Sequence, residues 1–377
     1  MNLSRRTFIQ GATLVPLKAV RGTAASGAVK VGLIGCGVRG TYDASILVKD
    51  SRARLVAICD IFDERIEKAK AEIPAPDAKV FKNYRELLAS DVEAVTIATP
   101  VFLHPEHFED AVKAGKHVYI EKPAGLDVAG CKRVIQVADG ADRRLNIAFG
   151  FQQRYGPVYL KAKQMLDSGS IGKVRAVHAQ FIKGAISGNE PVPAPPKTEE
   201  EKIRQWQLWR ATFGDMIVET DCHNIDAMNW FMGAHPTKAY GTGGRTIEKR
   251  GDNMDHLNVT FDYPGNVQAS FIGSLLAPRF YRTNNERYVG AAGVIETARE
   301  YWSHNTGKGP VTEKSARDIT ADALEEFLRR ITEGEPENTG ARSAESTMTA
   351  VMGRMAIDLR RQVTWDEMMK SRSEWNT

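Results

Sequence analysis

The chain has 377 residues, 42% of them hydrophobic and 26% charged, a globular composition with room for a sizeable core and about two domains. Its formal charge of +4 is matched by Arg5, Arg6, Lys18 and Arg21 in a leader without acids, so the remainder is near neutral and charge argues for neither a nucleic acid nor an anionic membrane. No apolar run reaches the ~18 residues that span a bilayer, and Cys36, Cys59, Cys131 and Cys222 form no CxxC pair or zinc spacing, so membrane insertion and a zinc site are not expected.

Residues 1–27 form a leader. Ser4-Arg5-Arg6-Thr7-Phe8-Ile9 precedes a mildly apolar stretch, Gly11 to Val20, broken by Pro16 and Lys18, and then the small residues Thr23, Ala24, Ala25 and Ser26. This run resembles the twin-arginine export signal. The resemblance implies the twin-arginine export machinery as a partner and a periplasmic destination, reached as a folded protein with its cofactor already loaded. A disordered basic tail on a cytoplasmic protein is the alternative.

From residue 28 to 150, short β-branched runs alternate with helical periods, which predicts an α/β Rossmann domain with a doubly wound parallel sheet. The strands read as Val29 to Ile34, Leu55 to Cys59, Lys79 to Phe81, Ala94 to Ala98, His117 to Ile120 and Leu145 to Ala148. Amphipathic segments such as Glu64 to Ile73 and Phe108 to Ala114 lie between them. Residues 151–377 read as a second, α+β domain with a large, open, mainly antiparallel sheet. Its signals are a helix from Leu160 to Asp167, a strand from Val174 to Ile182, and a hairpin of Asp255 to Tyr263 and Asn266 to Ser274 around Pro264-Gly265. Helices from Ala321 to Ile331 and Ala344 to Arg361 close the chain. The polar, proline-rich stretch from Ile186 to Ile203 reads as a loop, either a lid, a subunit-contact arm or a plain solvated excursion. An open sheet needs its other face covered, which points to a homodimer or homotetramer.

Gly35-Cys36-Gly37-Val38-Arg39-Gly40 is a GxGxxG that follows the first strand and opens a helix, and Asp60 ends the second strand. Together they predict a dinucleotide site: glycines for the turn, the close approach and the helix packing, and an acid for the ribose. The acid favours NAD over NADP, while Arg39 and Arg65 pull the other way. Thr99-Pro100 and Glu121-Lys122-Pro123 fall at strand ends on the same edge, where ligands bind. His104, Glu106 and His107 have no HExxH spacing and no third ligand, so no metal site is expected.

Gly35 to Gly40, Thr99-Pro100 with His104, and Ala114-Gly115-Lys116-His117-Val118 leading into Glu121-Lys122-Pro123 together resemble the glucose-fructose oxidoreductase, inositol dehydrogenase and MocA family. The resemblance covers nearly all of the chain after the leader. It implies that Lys122 touches both a substrate hydroxyl and the nicotinamide ribose, and that the substrate is a sugar, cyclitol or derivative. A cation beside a hydroxyl that loses its proton stabilises the alkoxide. A second cluster, Glu219-Thr220-Asp221-Cys222-His223-Asn224-Ile225-Asp226, places Glu219, His223 and Asp226 on one face if helical. The family sets an aspartate four residues before this histidine, and here the residue is Glu219, which leaves either His223 or Glu219 as the base. Trp206, Trp209 and Arg210, just upstream, are candidate sugar contacts or core residues.

The leading expectation is an NAD-dependent oxidoreductase that moves a hydride to or from a secondary alcohol of a sugar, with tightly held cofactor. Two alternatives stand beside it. One is a redox-neutral glycosidase that oxidises the sugar ring transiently, which suits a compartment without a free NAD(H) pool. The other is a binding protein that has lost turnover, against which intact Lys122 and His223 argue.

Overall fold

The computed structural model describes residues 27–184 and 192–371. The leader with its arginine pair, and the part of the proline-rich stretch from Ile186 to Pro191, lie outside the described residues. Among the described residues no helix is long and apolar enough to cross a membrane.

Six parallel strands form the first sheet: β1 (Val29–Ile34), β2 (Ala53–Cys59), β3 (Lys79–Phe81), β4 (Ala94–Ile97), β5 (His117–Ile120) and β6 (Ile147–Phe149). Their order is β3-β2-β1-β4-β5-β6. The reversal between β1 and β4 opens a crevice at their carboxyl ends, the place where a doubly wound sheet receives ligands. Helices α1 (Val38–Leu47), α2 (Asp63–Glu72) and α3 (His104–Lys113) carry the chain between strands. All four residues of β4 are buried, as a strand covered on both faces requires.

The middle of the chain includes the helices α4 (Glu199–Gln205), α5 (Met216–Glu219) and α6 (Cys222–Met232), with a single helical turn at Arg210–Phe213 between α4 and α5. α4 corrects the expectation of an unbroken loop to Ile203. Thr198 and Glu201 form a reciprocal capping box that starts a helix immediately after the prolines.

A nine-stranded second sheet contains β7 (Val174–Gly184), β8 (Lys238–Gly244), β9 (His256–Tyr263), β10 (Val267–Ala277), β11 (Thr283–Gly290), β12 (Val294–Ala298), β13 (Tyr301–Asn305), β14 (Pro310–Lys314) and β15 (Val363–Thr364). The long β7 sits at its centre, antiparallel to β11 and parallel to β10. The β9–β10 hairpin turns through Gly265 and Asn266, both with positive φ, and pairs Tyr263 with Val267. Along β9 the buried side chains alternate as Leu257, Val259, Phe261 and Tyr263.

Helices α7 (Ile319–Glu333) and α8 (Gly340–Leu359) finish the fold. α8 packs on α6 and β8. α7 does not join it. Its Ala323, Leu324, Phe327 and Leu328 pack with Val31, Ala94, Tyr119 and Ala148, so it covers the first sheet, and residues 337–339 bond along β6. A division of the chain at residue 150 therefore separates α7 from the sheet it seals, because that face of the parallel sheet must be covered by something apolar.

Candidate active site

The glycine loop after β1 shows why each glycine is there. Gly35 has φ 95, and a Cβ on it would sit 2.7 Å from the Ala98 carbonyl at the end of β4. A Cβ on Gly40 would sit 2.0 Å from the Gly35 carbonyl, so this residue lets the helix approach the strand. At Gly37 the same test meets only Arg65, at 3.8 Å, which leaves its backbone open to a ligand. No side chain caps α1, whose first N–H groups are left for an anion, and Val38 beside them is 84% exposed. These features fit the pyrophosphate of a dinucleotide.

Asp60 is buried, and its two oxygens accept from the backbone N–H of Cys36 and of Phe62. It thereby joins the glycine loop to the end of β2. Beside it lies a cavity of about 250 Å³ lined by Gly35, Asp60, Arg65, Thr99, Pro100 and Ile203 among others. Thr99 and Pro100 are thus placed with Asp60, while His104 is not. Its ring is 1% exposed, with Nδ1 2.7 Å from the Pro123 carbonyl and Nε2 2.9 Å from the Thr99 carbonyl. His104 thereby ties the ends of β4 and β5 together and holds Thr99 and Pro123 in place.

The Arg39 side chain is likewise engaged elsewhere. Its guanidinium donates twice to Glu121 Oε1, at 2.8 and 2.9 Å, and lies 3.2 Å from Asp43 Oδ1. Gln152 donates to the same Glu121 oxygen, and a Cβ on Gly150 would come within 2.7 Å of it. Burial, followed by the Glu121 charge, pushes the Asp43 carboxyl well above the usual carboxylate range. Arg39 and Glu121, expected as cofactor contacts, form a buried charge cluster that props the β5 end from below.

Lys122, at that end, reaches across to the second half of the chain. Its Nζ donates to the Glu219 carbonyl at 2.6 Å and to Glu219 Oε1 at 2.7 Å. An ammonium has three donors, so one remains. Burial works against the Lys122 charge, but the Glu219 carboxylate overcomes it and the ammonium's pKa is raised. Glu219 is penalised by burial too, yet Lys122, with Thr220 donating to the other oxygen, holds it below its ordinary range. The pair is ionised on both sides.

Glu219 ends α5 and Cys222 begins α6, with Thr220 and Asp221 between, so the segment is not the continuous helix on which Glu219, His223 and Asp226 would share a face. The break turns Glu219 to Lys122. His223 packs edge-on to Phe151, and its Nδ1 is buried with no hydrogen-bond partner. Burial, reinforced by the Lys122 charge, holds its pKa well below the ordinary value. The imidazole is neutral and able to take a proton.

Asp226 does not join them. It is 0% exposed, accepts from Arg154 Nε at 2.9 Å and Nη2 at 2.7 Å, and from Ser346 Oγ at 2.7 Å. Seven residues beyond Glu219 is the same face only on an unbroken helix, and Asp226 anchors α6 instead. Arg210 is paired with Asp215 and Asp358, Trp206 packs against Phe213, and Trp209 Nε1 donates to Gln205. Each of the three side chains is thus engaged by a residue of the protein itself.

Two groups near the ion pair were not singled out from the sequence. Lys183, at the end of β7, lies 5.2 Å over the Phe181 ring and feels Glu219, Asp221 and Lys122, with burial lowering its pKa. Asp221 is fully buried, both oxygens lack hydrogen-bond partners, and burial raises its pKa strongly despite Lys183. Lys183 is remote in sequence from the α5–α6 break and reaches it only through the fold, whereas Asp221 belongs to the Glu219–Asp226 run, whose burial the sequence does not show.

Comparison with known proteins decides the family. A model described as an oxidoreductase family with an NAD-binding Rossmann fold matches residues 29–149, and the GFO/IDH/MocA C-terminal domain matches residues 159–296. Inositol 2-dehydrogenase of Gluconacetobacter diazotrophicus is 33% identical over 264 residues, 65% of this chain and 72% of that enzyme. The chain belongs to the GFO/IDH/MocA oxidoreductase family. Inositol 2-dehydrogenase of Salmonella typhimurium is 31% identical over 206 residues, and the chain spans about half of its length, 54%. Among solved structures, levoglucosan dehydrogenase in complex with NADH and levoglucosan superposes with a TM-score of 0.78 over 89% of this chain and 99% of its own. At 16% identity that likeness speaks to the fold. Membership of the GFO/IDH/MocA family makes the chain an NAD-dependent oxidoreductase, and the cradle at Gly37 and Asp60 is where its residues would hold the NAD.

Proposed function

We propose that the protein oxidises a secondary alcohol of a cyclic polyol or sugar, with Lys122 and His223 managing the proton. The observation that carries this reading is the Lys122 ammonium fixed between the carbonyl and carboxylate of Glu219, with one N–H left and a neutral imidazole nearby. Bound NAD supplies the hydride acceptor. His223 takes the hydroxyl proton, and Lys122 stabilises the oxygen as its charge grows. Glu219 keeps Lys122 charged and aimed. Oxidation of the carbinol to a ketone would release one hydride, for which bound NAD would be the acceptor, and one proton, which passes to His223. The inositol 2-dehydrogenases among the relatives support a cyclic polyol as substrate. The twin-arginine-like leader supports export of the folded protein with cofactor in place; replacing Arg5 and Arg6 by lysine is expected to keep it inside the cell.

The test is the absorbance of purified protein at ~340 nm during incubation with NAD and inositols, hexoses or aryl glycosides. A rising reduced-nicotinamide band with a polyol or free sugar supports the reading. Release of the aryl group without a lasting band would replace it with the redox-neutral glycosidase. No band and no cleavage with any probe would contradict both.

A further inference from the structure

The cavity beside Asp60 is not closed by the nucleotide domain alone. Ile203, on α4, also lines it. α4 has the sequence EEEKIRQ, so Ile203 is its one apolar side chain, and none of its residues is buried. A helix that buries nothing is not held by a core of its own. The capping box fixes where it starts. What fixes it to the nucleotide domain is Arg204, whose guanidinium lies 3.7 Å over the Phe62 ring and donates to Glu64 Oε1 at 2.6 Å. Phe62 lies in the connection between β2 and α2 that also carries Asp60, and Glu64 stands in the first turn of α2 beside Arg65; Asp60 and Arg65 are residues of the cavity wall. Arg65 lies over the same Phe62 ring at 4.9 Å.

We propose that α4 is the outer wall of the adenosine half of the dinucleotide site, with Ile203 as the apolar surface facing the base and Arg204 as the latch. This inference rests on the assignment of the cavity to NAD. It makes the second half of the chain a participant in holding the cofactor: dissociation requires α4 to lift from Phe62 and Glu64. One cation–π contact and one exposed ion pair hold it, so the latch is weak enough to open and strong enough to slow escape.

The experiment measures binding of NADH and of ADP-ribose to the full-length protein by fluorescence and competition, with dissociation followed by stopped-flow displacement. Arg204→Ala and Ile203→Ser are expected to weaken both ligands about fivefold, chiefly through faster dissociation. Glu64→Gln, a change on an exposed residue of the nucleotide domain, is expected to shift both in the same direction and serves if either α4 variant fails to fold. Equal dissociation rates in all the folded variants and the unaltered protein would overturn the latch while leaving the NAD site standing. If the unaltered protein binds neither ligand, the dinucleotide site falls and the latch with it.

Discussion

Lys122 and Glu219 are 97 residues apart in sequence, and their side chains meet at 2.7 Å where the two domains touch. Each sustains the other's charge, since burial alone would discharge both. Lys122→Met is expected to lower kcat by ~10²-fold or more through loss of alkoxide stabilisation. Glu219→Gln removes the anion that raises the lysine's pKa, so any alkaline decline in activity is expected to move to lower pH. The pH profile of kcat/KM checks this, and an unmoved alkaline limb would show that Glu219 does not maintain the Lys122 charge.

His223 has a pKa pushed below its ordinary 6.5 by burial and by Lys122. A base works only when unprotonated, so the acid limb of kcat/KM is expected below pH 6.5, with a plateau through neutrality. His223→Asn is expected to cost ~10²-fold in kcat and to abolish that limb. An acid limb near pH 7.5 or above would assign the base elsewhere.

The glycine loop separates binding from folding. Gly37→Ala adds a methyl whose one neighbour is Arg65 at an ordinary 3.8 Å, so the protein is expected to melt like the unaltered one while NADH affinity drops by roughly tenfold or more. Gly40→Ala drives a methyl to 2.0 Å from the Gly35 carbonyl and is expected to cost ~1–3 kcal/mol of stability. Urea titration and NADH fluorescence on both variants distinguish the two effects.

Asp226 neutralises Arg154, whose side chain is 14% exposed. Asp226→Ala leaves that cation without its carboxylate and is expected to destabilise the protein by ~3 kcal/mol in urea. Impaired turnover at undiminished stability would return Asp226 to the substrate site.

Glu286 is buried and accepts hydrogen bonds from Thr297, Tyr159 and Asn224, yet burial raises its pKa to about 8. A carboxyl whose folded-state pKa lies above its unfolded 4.5 stabilises the protein below that value and loses the contribution as pH climbs through 8. Thermal unfolding between pH 5 and ~9 is therefore expected to show a decline for the natural protein on the order of a few kcal/mol, and a shallower one for Glu286→Gln. Parallel curves would contradict it.

The nucleotide half is legible because its determinants are local. The glycines, the strand before them and Asp60 lie within one strand-helix-strand unit, and their spacing carries the geometry directly. The second half is less so. Lys183 reaches the site through the order of a nine-stranded sheet, in which β7 pairs parallel with a strand that follows it by some ninety residues, while Asp221 stands two residues from Glu219 and only its burial is hidden from the sequence. Arg39, His104 and Asp226 are in the right neighbourhood, but buried partners claim their side chains, and those partners come from β5, the Pro123 carbonyl and Arg154. Helical periodicity across Glu219 to Asp226 misleads because the chain breaks at Thr220-Asp221. The prolines before Thr198 read as loop, while the capping box that starts α4 was written in Thr198 and Glu201.

The most direct test uses a cyclic polyol deuterated at each carbinol carbon, incubated with the protein and NAD, with the nicotinamide product analysed by mass spectrometry. The account predicts that one deuteron appears on the reduced nicotinamide ring and that Lys122→Met and His223→Asn suppress it. Reduced cofactor without deuterium, or none at all from any cyclic polyol or sugar while NAD is demonstrably bound, would contradict it.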